Sequence, residues 1–251
     1  MQSVTTELTT GQEVTSQQSI LILVIGKSGR GKSTAIRNLP PESTYIINTI
    51  GKPLPFPSGV NYTKEKNMTI ERDAVKITQY MKRISDAKFE HLVMDDVQYI
   101  MASEFMLKAL EKGYDKFSLM ARNMWNILIM ATCLRPGLKV YILAHEDDTG
   151  QERKMKTLGR LLDEKITPEG LSAIVLFSET EANEKNQRRY YFSTQTDGTT
   201  NAKSPMDMFP AQIPNDLKLV SDRIDEYYKG ISLQDSKLVF EINPIVVNKV
   251  G

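Results

Sequence analysis

Residues 19–33 read SILILVIGKSGRGKS. The first half, Ser19–Ile25, is an unbroken apolar run with the length and β-branched content of a strand buried on both faces. The second half, GKSGRGKS at 26–33, fits G-x-x-x-x-G-K-[ST] through Gly26, Gly31, Lys32 and Ser33. Each fixed position has a physical task. The glycines let the backbone turn tightly and bring its N–H groups onto phosphate oxygens. Lys32 sets a point charge between the β- and γ-phosphates, and the Ser33 hydroxyl is a ligand type for Mg²⁺. The candidate nucleotide contacts are Gly26, Lys27, Ser28, Gly29, Arg30, Gly31, Lys32, Ser33 and Thr34, with ATP and Mg²⁺ as the expected ligands. Ser33 and Thr34 open a predicted helix, whose N-terminus favours anions and which stops at Pro40-Pro41. Such a loop serves many reactions, so it identifies the ligand and not the substrate.

Outward from the loop, strands and helices alternate. Thr44–Ile50 reads as a strand, and GKPLPFPSG at 51–59 as an irregular loop. Residues 70–87 carry Ile70, Ala74, Ile77, Met81 and Ile84 on one helical face, with Thr69 as the expected cap. His91–Asp95 is the next strand. Helices are expected over Gln98–Lys112 and Asp115–Leu134, and Arg135-Pro136-Gly137 stops the second. Leu138–His145 is again a strand; 146–170 is charged and weakly periodic. Ser172–Ser178 and Arg188–Gln195 suggest a hairpin, and Asp216–Lys229 a last helix. The pattern is that of an α/β fold: a mostly parallel sheet with helices on both faces and an antiparallel hairpin at one edge. Residues 1–18 read as a flexible segment, 19–230 as one catalytic domain, and 231–251 as a tail available for oligomerisation.

Two further strands end in chemistry. LVMDD at 92–96 places Asp95 to hold the metal's shell about one strand over from the loop, and Asp96 to accept a proton from attacking water. YILAHEDD at 141–148 places His145 at a strand end, where it can sense a γ-phosphate or orient water. Arg188, Arg189 and Lys203 are candidates to reach a neighbouring subunit's γ-phosphate. Two loops are basic. QERKMKTLGR at 151–160 holds Arg153, Lys154, Lys156 and Arg160, and EKGYDK at 111–116 holds Lys112 and Lys116. Either loop can follow the phosphate backbone of a single strand.

Composition bounds the partners. The 251 residues are 40% hydrophobic and 25% charged, enough for one large core. The formal net charge is +1, so any nucleic-acid site is a local patch. Cys133 is the single cysteine, read as a buried thiol in an apolar helix, and it fits a reducing cytoplasm. No apolar run of membrane-spanning length and no signal pattern are present, so no membrane partner is expected.

Taken together, GKSGRGKS at 26–33, IINTIGKPLPF at 46–56, LVMDDVQ at 92–98, YILAHE at 141–146 and YYFSTQTDGTTNAKSPMDMFP at 190–210 resemble the RecA-type P-loop ATPase core. More narrowly, they resemble the phage-encoded RecA-like ATPases of the single-strand annealing and recombination group. The resemblance implies ATP and Mg²⁺ and a homo-oligomeric ring or filament. It also implies single-stranded DNA on the loops 109–118 and 146–160, with Lys203 acting in trans. Phage recombination or replication proteins are the implied partners, and the cytoplasm of an infected bacterial host the implied location. The sequence departs from the family after the second strand: INTIGKP supplies Asn48 and Thr49 where a catalytic glutamate is usual. The alternatives are a loading or remodelling ATPase acting on protein, a small-molecule kinase, and a nucleotide-stabilised scaffold with little turnover.

Overall fold

The structure is a computed structural model, and it describes residues 18–158, 166–182 and 188–242. Most of the segment 1–18, Arg160, and the end of the 231–251 tail lie outside the described residues. The strands are β1 (Ile20–Ile25), β2 (Thr44–Asn48), β3 (Met68–Ile70), β4 (His91–Asp95), β5 (Lys139–Ala144), β6 (Glu146–Asp148), β7 (Arg153–Met155), β8 (Ile174–Ala182), β9 (Arg188–Ser193) and β10 (Gln212–Pro214). The helices are α1 (Ala74–Ser85), α2 (Gln98–Leu107), α3 (Asp115–Thr132), α4 (Pro168–Leu171) and α5 (Leu217–Tyr228).

One eight-stranded sheet runs β10-β9-β8-β1-β5-β4-β2-β3. From β8 to β3 every pairing is parallel; β9 pairs antiparallel to β8, and β10 antiparallel to β9. This is the α/β architecture that the alternation of elements predicts. Alternate residues of the parallel strands feed two cores, which is why these strands read as continuous apolar runs. Leu21, Leu23 and Ile25 pack with α1 and α3 through Ile77, Met81, Met124 and Leu128. Ile20, Ile22 and Val24 pack with Ile36 and Leu39 of the post-loop segment and with Val220 and Ile224 of α5.

His91 links the layers. Its Nε2 lies 2.9 Å from Ser221 Oγ on α5, and its ring stacks on Tyr141 with centroids 6.2 Å apart. Burial, reinforced by the Lys139 ammonium, lowers its pKa to about 4.

Four local expectations need correction. The segment after the loop is a six-residue 3₁₀ helix, Ser33–Asn38, and not an α-helix. Pro40-Pro41 leave it too short to propagate, and short runs favour 3₁₀ geometry. Residues 68–70 pair with β2, so α1 starts later; Asp73 caps it by accepting from the Lys76 N–H at 2.9 Å, and Thr69 does not. Residues 146–155 form a β6–β7 hairpin. Cys133 is exposed, because it sits past the end of α3 on the outer side.

Candidate nucleotide site

The crevice lies where β1, β5, β4 and β2 end, the usual ligand position in an open parallel sheet. Beyond Ile25 the chain must squeeze past β8. A Cβ on Gly26 would stand 2.7 Å from the Ser178 carbonyl oxygen, so only glycine fits. Gly31, at φ +87°, lies under Tyr190 and Asn215, whose nearest atoms would be 3.0 and 3.1 Å from a Cβ there. Ser178 Oγ donates to the Arg30 carbonyl at 2.5 Å and ties the loop to β8.

Lys32 is buried and curls back on the loop: its Nζ donates to the Gly26 and Lys27 carbonyls at 2.7 and 3.0 Å. Burial lowers its pKa, and Asp96, Asp95 and Glu146 oppose that. Ser33 Oγ donates to Asp95 Oδ1 at 2.9 Å. This contact spans more of the sheet than the sequence suggests, because β5 lies between β1 and β4. The insertion puts His145, just past the end of β5, in the middle of the crevice.

Asp95 is pushed up to about 6, first by burial and then by the neighbouring Asp96 charge. Asp96 goes the other way. Burial alone would raise it, but hydrogen bonds from His145, Lys52 and Gln98 together hold it well below the usual carboxylate range. Lys52 Nζ is 2.7 Å from Asp96 Oδ2, and His145 Nε2 is 3.3 Å from Asp96 Oδ1. Asp96 has φ +63°, a left-handed conformation that a non-glycine residue adopts at a cost. Thr49 Oγ1 donates to its carbonyl at 2.8 Å and helps hold the turn.

Lys52 is the residue that sequence reading missed. Asn48 organises the turn that presents it: Asn48 Oδ1 accepts from the Gly51 N–H, and its Nδ2 donates to the Lys52 carbonyl, both at 2.7 Å. Asn48 thus organises a turn that delivers a cation to the cleft. The cleft measures about 220 Å³, and Lys52, Pro55, Asp96, His145 and Tyr190 join the loop residues in lining it.

A second shell of charge surrounds the loop. Lys27 pairs with Asp148 at 3.0 Å and with Glu146 at 3.6 Å, and Arg30 pairs with Glu179. Arg153, read from sequence as a DNA contact, is held between Glu146 (2.8 Å) and Glu179 (2.5 Å) over the Phe177 ring. Lys116, read likewise, donates to the Lys108 and Glu111 carbonyls at 3.1 and 2.7 Å and closes the end of α2. Lys112 and Lys156 are exposed, and Lys154 is half-buried. Arg189 pairs with Glu181 across the β8–β9 hairpin, and Lys203 is exposed on a segment bridged to Val175 of β8; neither lines the cleft.

The donor set suits Mg²⁺. Ser33 Oγ and Asp95 Oδ1 are hard oxygen ligands already in contact, and the Asp95 carboxyl is buried while Lys52 serves Asp96 and Lys32 serves the loop carbonyls. Among the described residues no helix is long and apolar enough to cross a membrane.

No family model matches the sequence, and no curated protein matches it. Among solved structures the chain is similar to the ATPase DotB of Legionella pneumophila, with a TM-score of 0.36 and 12% identity over 72% of this chain and 46% of that one. It is also similar to the pilus retraction motor PilT with bound ADP, with a TM-score of 0.37 and 14% identity over 72% of this chain and 48% of that one. The chain thus spans about half the length of each. Likeness at this level carries no argument about what the chain does.

Proposed function

We propose that the chain is a Mg²⁺-dependent ATPase that acts on single-stranded DNA as a homo-oligomer, in phage recombination, annealing or replication in the host cytoplasm. The ATPase part rests on one observation: the Ser33–Asp95 contact brings the phosphate loop and the acid strand together beside Lys32, Asp96 and His145.

Lys32 exchanges its loop carbonyls for β- and γ-phosphate oxygens. Mg²⁺ held by Ser33 and Asp95, when bound, neutralises charge on those oxygens. Asp96 stays ionised in the working pH range and makes a poor proton acceptor, because efficient general bases titrate near the working pH. Its task is to orient the attacking water, with His145 fixing its rotamer. Lys52 supplies positive charge on the γ side.

Exposed Lys112, Tyr114 and Lys156, on the loops that follow the β4 and β5 ends, support the DNA assignment. Arg189 and Lys203 are the residues proposed to act across a subunit boundary. A protein target is the second reading, favoured by exposed Met106, Leu107 and Leu110 beside Tyr114.

Steady-state ATP hydrolysis with and without single-stranded DNA, across a protein concentration series, separates these. DNA stimulation that rises steeply with concentration, and is lost in Lys32→Ala, is the expected result. A DNA-indifferent rate would move the assignment to the protein target, and no hydrolysis under any condition would remove the ATPase reading.

A further inference from the structure

Among the described residues twelve large apolar or aromatic side chains are exposed. Six of them, Tyr99, Phe105, Met106, Leu107, Leu110 and Tyr114, fall within α2 and the turn that follows it, so they form a patch and not a scatter. The cause lies in the helix itself, which is apolar on every side. Ile100 and Met101 enter the core shared with α1 and α3, while Met106 and Leu107 face outward at 69% and 85% exposure. Leu110, in the turn, is 98% exposed. A helix that is apolar all round is ordinarily covered all round. Soluble monomers rarely leave a contiguous apolar patch bare unless it is an interaction site.

The chain itself carries a segment that fits this face. Beyond α5 the backbone returns towards the cleft, and its root is fixed: Arg223 Nη1 donates to the Ile231 carbonyl at 3.0 Å, and Ser236 Oγ to Glu226 at 2.5 Å. Phe240 then packs on the core beneath α5. Glu241 and Ile242 share a cavity wall with Thr34 and Tyr190, which also line the phosphate cleft. Two positions further on, the sequence reads PIVV at 244–247. This run therefore starts from the β9 flank of the cleft, on the α5 layer of the sheet. α2 starts from the opposite flank, after β4, on the α1–α3 layer. Its first turn is at the cleft: Gln98 Nε2 donates to Asp96 Oδ1 at 3.3 Å, and the Tyr99 ring lies edge-on to His145. Within one chain the run and the face thus point away from each other. Between two chains set head to tail they meet, at a contact that borders both clefts.

We propose that the outer face of α2, through Met106, Leu107 and Leu110, receives residues 244–247 of a second copy of this chain. Such a contact is heterologous, because each copy gives its run to one neighbour and its face to another, and it repeats into a ring or a filament. The inference rests on the homo-oligomer part of the proposed function and supplies the two surfaces that part requires.

Sedimentation velocity of the full chain across a concentration series, with two variants, tests this. The face variant carries Met106→Ser, Leu107→Ser and Leu110→Ser; the tail variant carries Ile245→Asp and Val247→Asp. Wild-type mass should rise with concentration, and each variant should associate at least about tenfold more weakly. An equimolar mixture of the two should form a dimer and nothing larger, since one partner keeps the run and the other keeps the face. Thermal unfolding of each variant checks the fold; should the triple variant unfold, Leu110→Asp alone replaces it. Assembly lost in the face variant alone would overturn the proposal in favour of face-on-face pairing. A mixture that stays monomeric would also overturn it. Wild-type assembly retained in both variants would overturn this contact and leave the homo-oligomer reading standing. A wild type that is monomeric throughout would overturn both and leave the face to a partner of another kind.

Discussion

His91 offers a test of the packing between the sheet and α5 by pH alone. Its ring is 2% exposed, and its folded pKa of about 4 lies below the ordinary 6.5. Between those values the unfolded chain binds a proton that the folded chain refuses. Stability is therefore fully present above about pH 6.5 and falls as pH drops towards 4. At about 1.4 kcal/mol per pH unit, the loss amounts to about 3 kcal/mol. Asp95 works in the opposite sense. Its folded pKa of about 6 exceeds the ordinary 3.8, so it contributes stability at low pH that is lost as pH rises through 6. The two effects partly cancel in the wild-type profile, and the histidine must be isolated by difference. Urea unfolding of wild type and His91→Gln, measured from pH 7.5 down to 4, supplies that difference. Glutamine keeps a partner for Ser221 and cannot titrate. The two stabilities should converge on acidification by about 3 kcal/mol, because only the wild type loses the histidine contribution. Parallel profiles would refute the reasoning and mean that the ring is protonated or hydrated in the fold.

Two other perturbations bear on the site. Gly26→Ala drives a Cβ into the Ser178 carbonyl; overpacking of this kind costs about 1–3 kcal/mol, or about 2–12 °C in Tm for a domain of this size, and an unchanged Tm with unchanged nucleotide affinity would count against the close approach. Lys52→Gln removes the cation paired with Asp96; turnover should fall by about tenfold or more with ADP affinity little altered, whereas an equal loss in both would make Lys52 a binding residue only.

The parallel sheet was legible because strands buried on both faces leave continuous apolar runs, and SILILVI, HLVMD and LKVYILAH each do so. The phosphate loop was legible because its task demands fixed residue types at fixed spacing. β3 and β10 were not, since three-residue strands fall below any periodicity window and owe their existence to the sheet edge they join. Lys52 was invisible for another reason. Its place in the cleft is set by the Asn48 turn and a carboxylate 44 positions later in the chain, and nothing local marks it. Arg153 shows the reverse failure: a basic cluster looks like surface until the glutamates at 146 and 179 are brought against it.

That pairing also changes how the site meets its ligand. The cations Lys27, Arg30, Lys52 and Arg153 are already matched with Asp96, Glu146, Asp148 and Glu179 before any phosphate arrives. Under the proposed function, a triphosphate reaching these groups would compete with resident anions for the same guanidinium and ammonium groups. Entry would then be an ion exchange, and the carboxylates to be displaced stand just past β4, on β6 and on β8. Each such exchange would leave Glu146 and Asp148 of the β6–β7 hairpin and Glu179 of the β8–β9 hairpin without their cations.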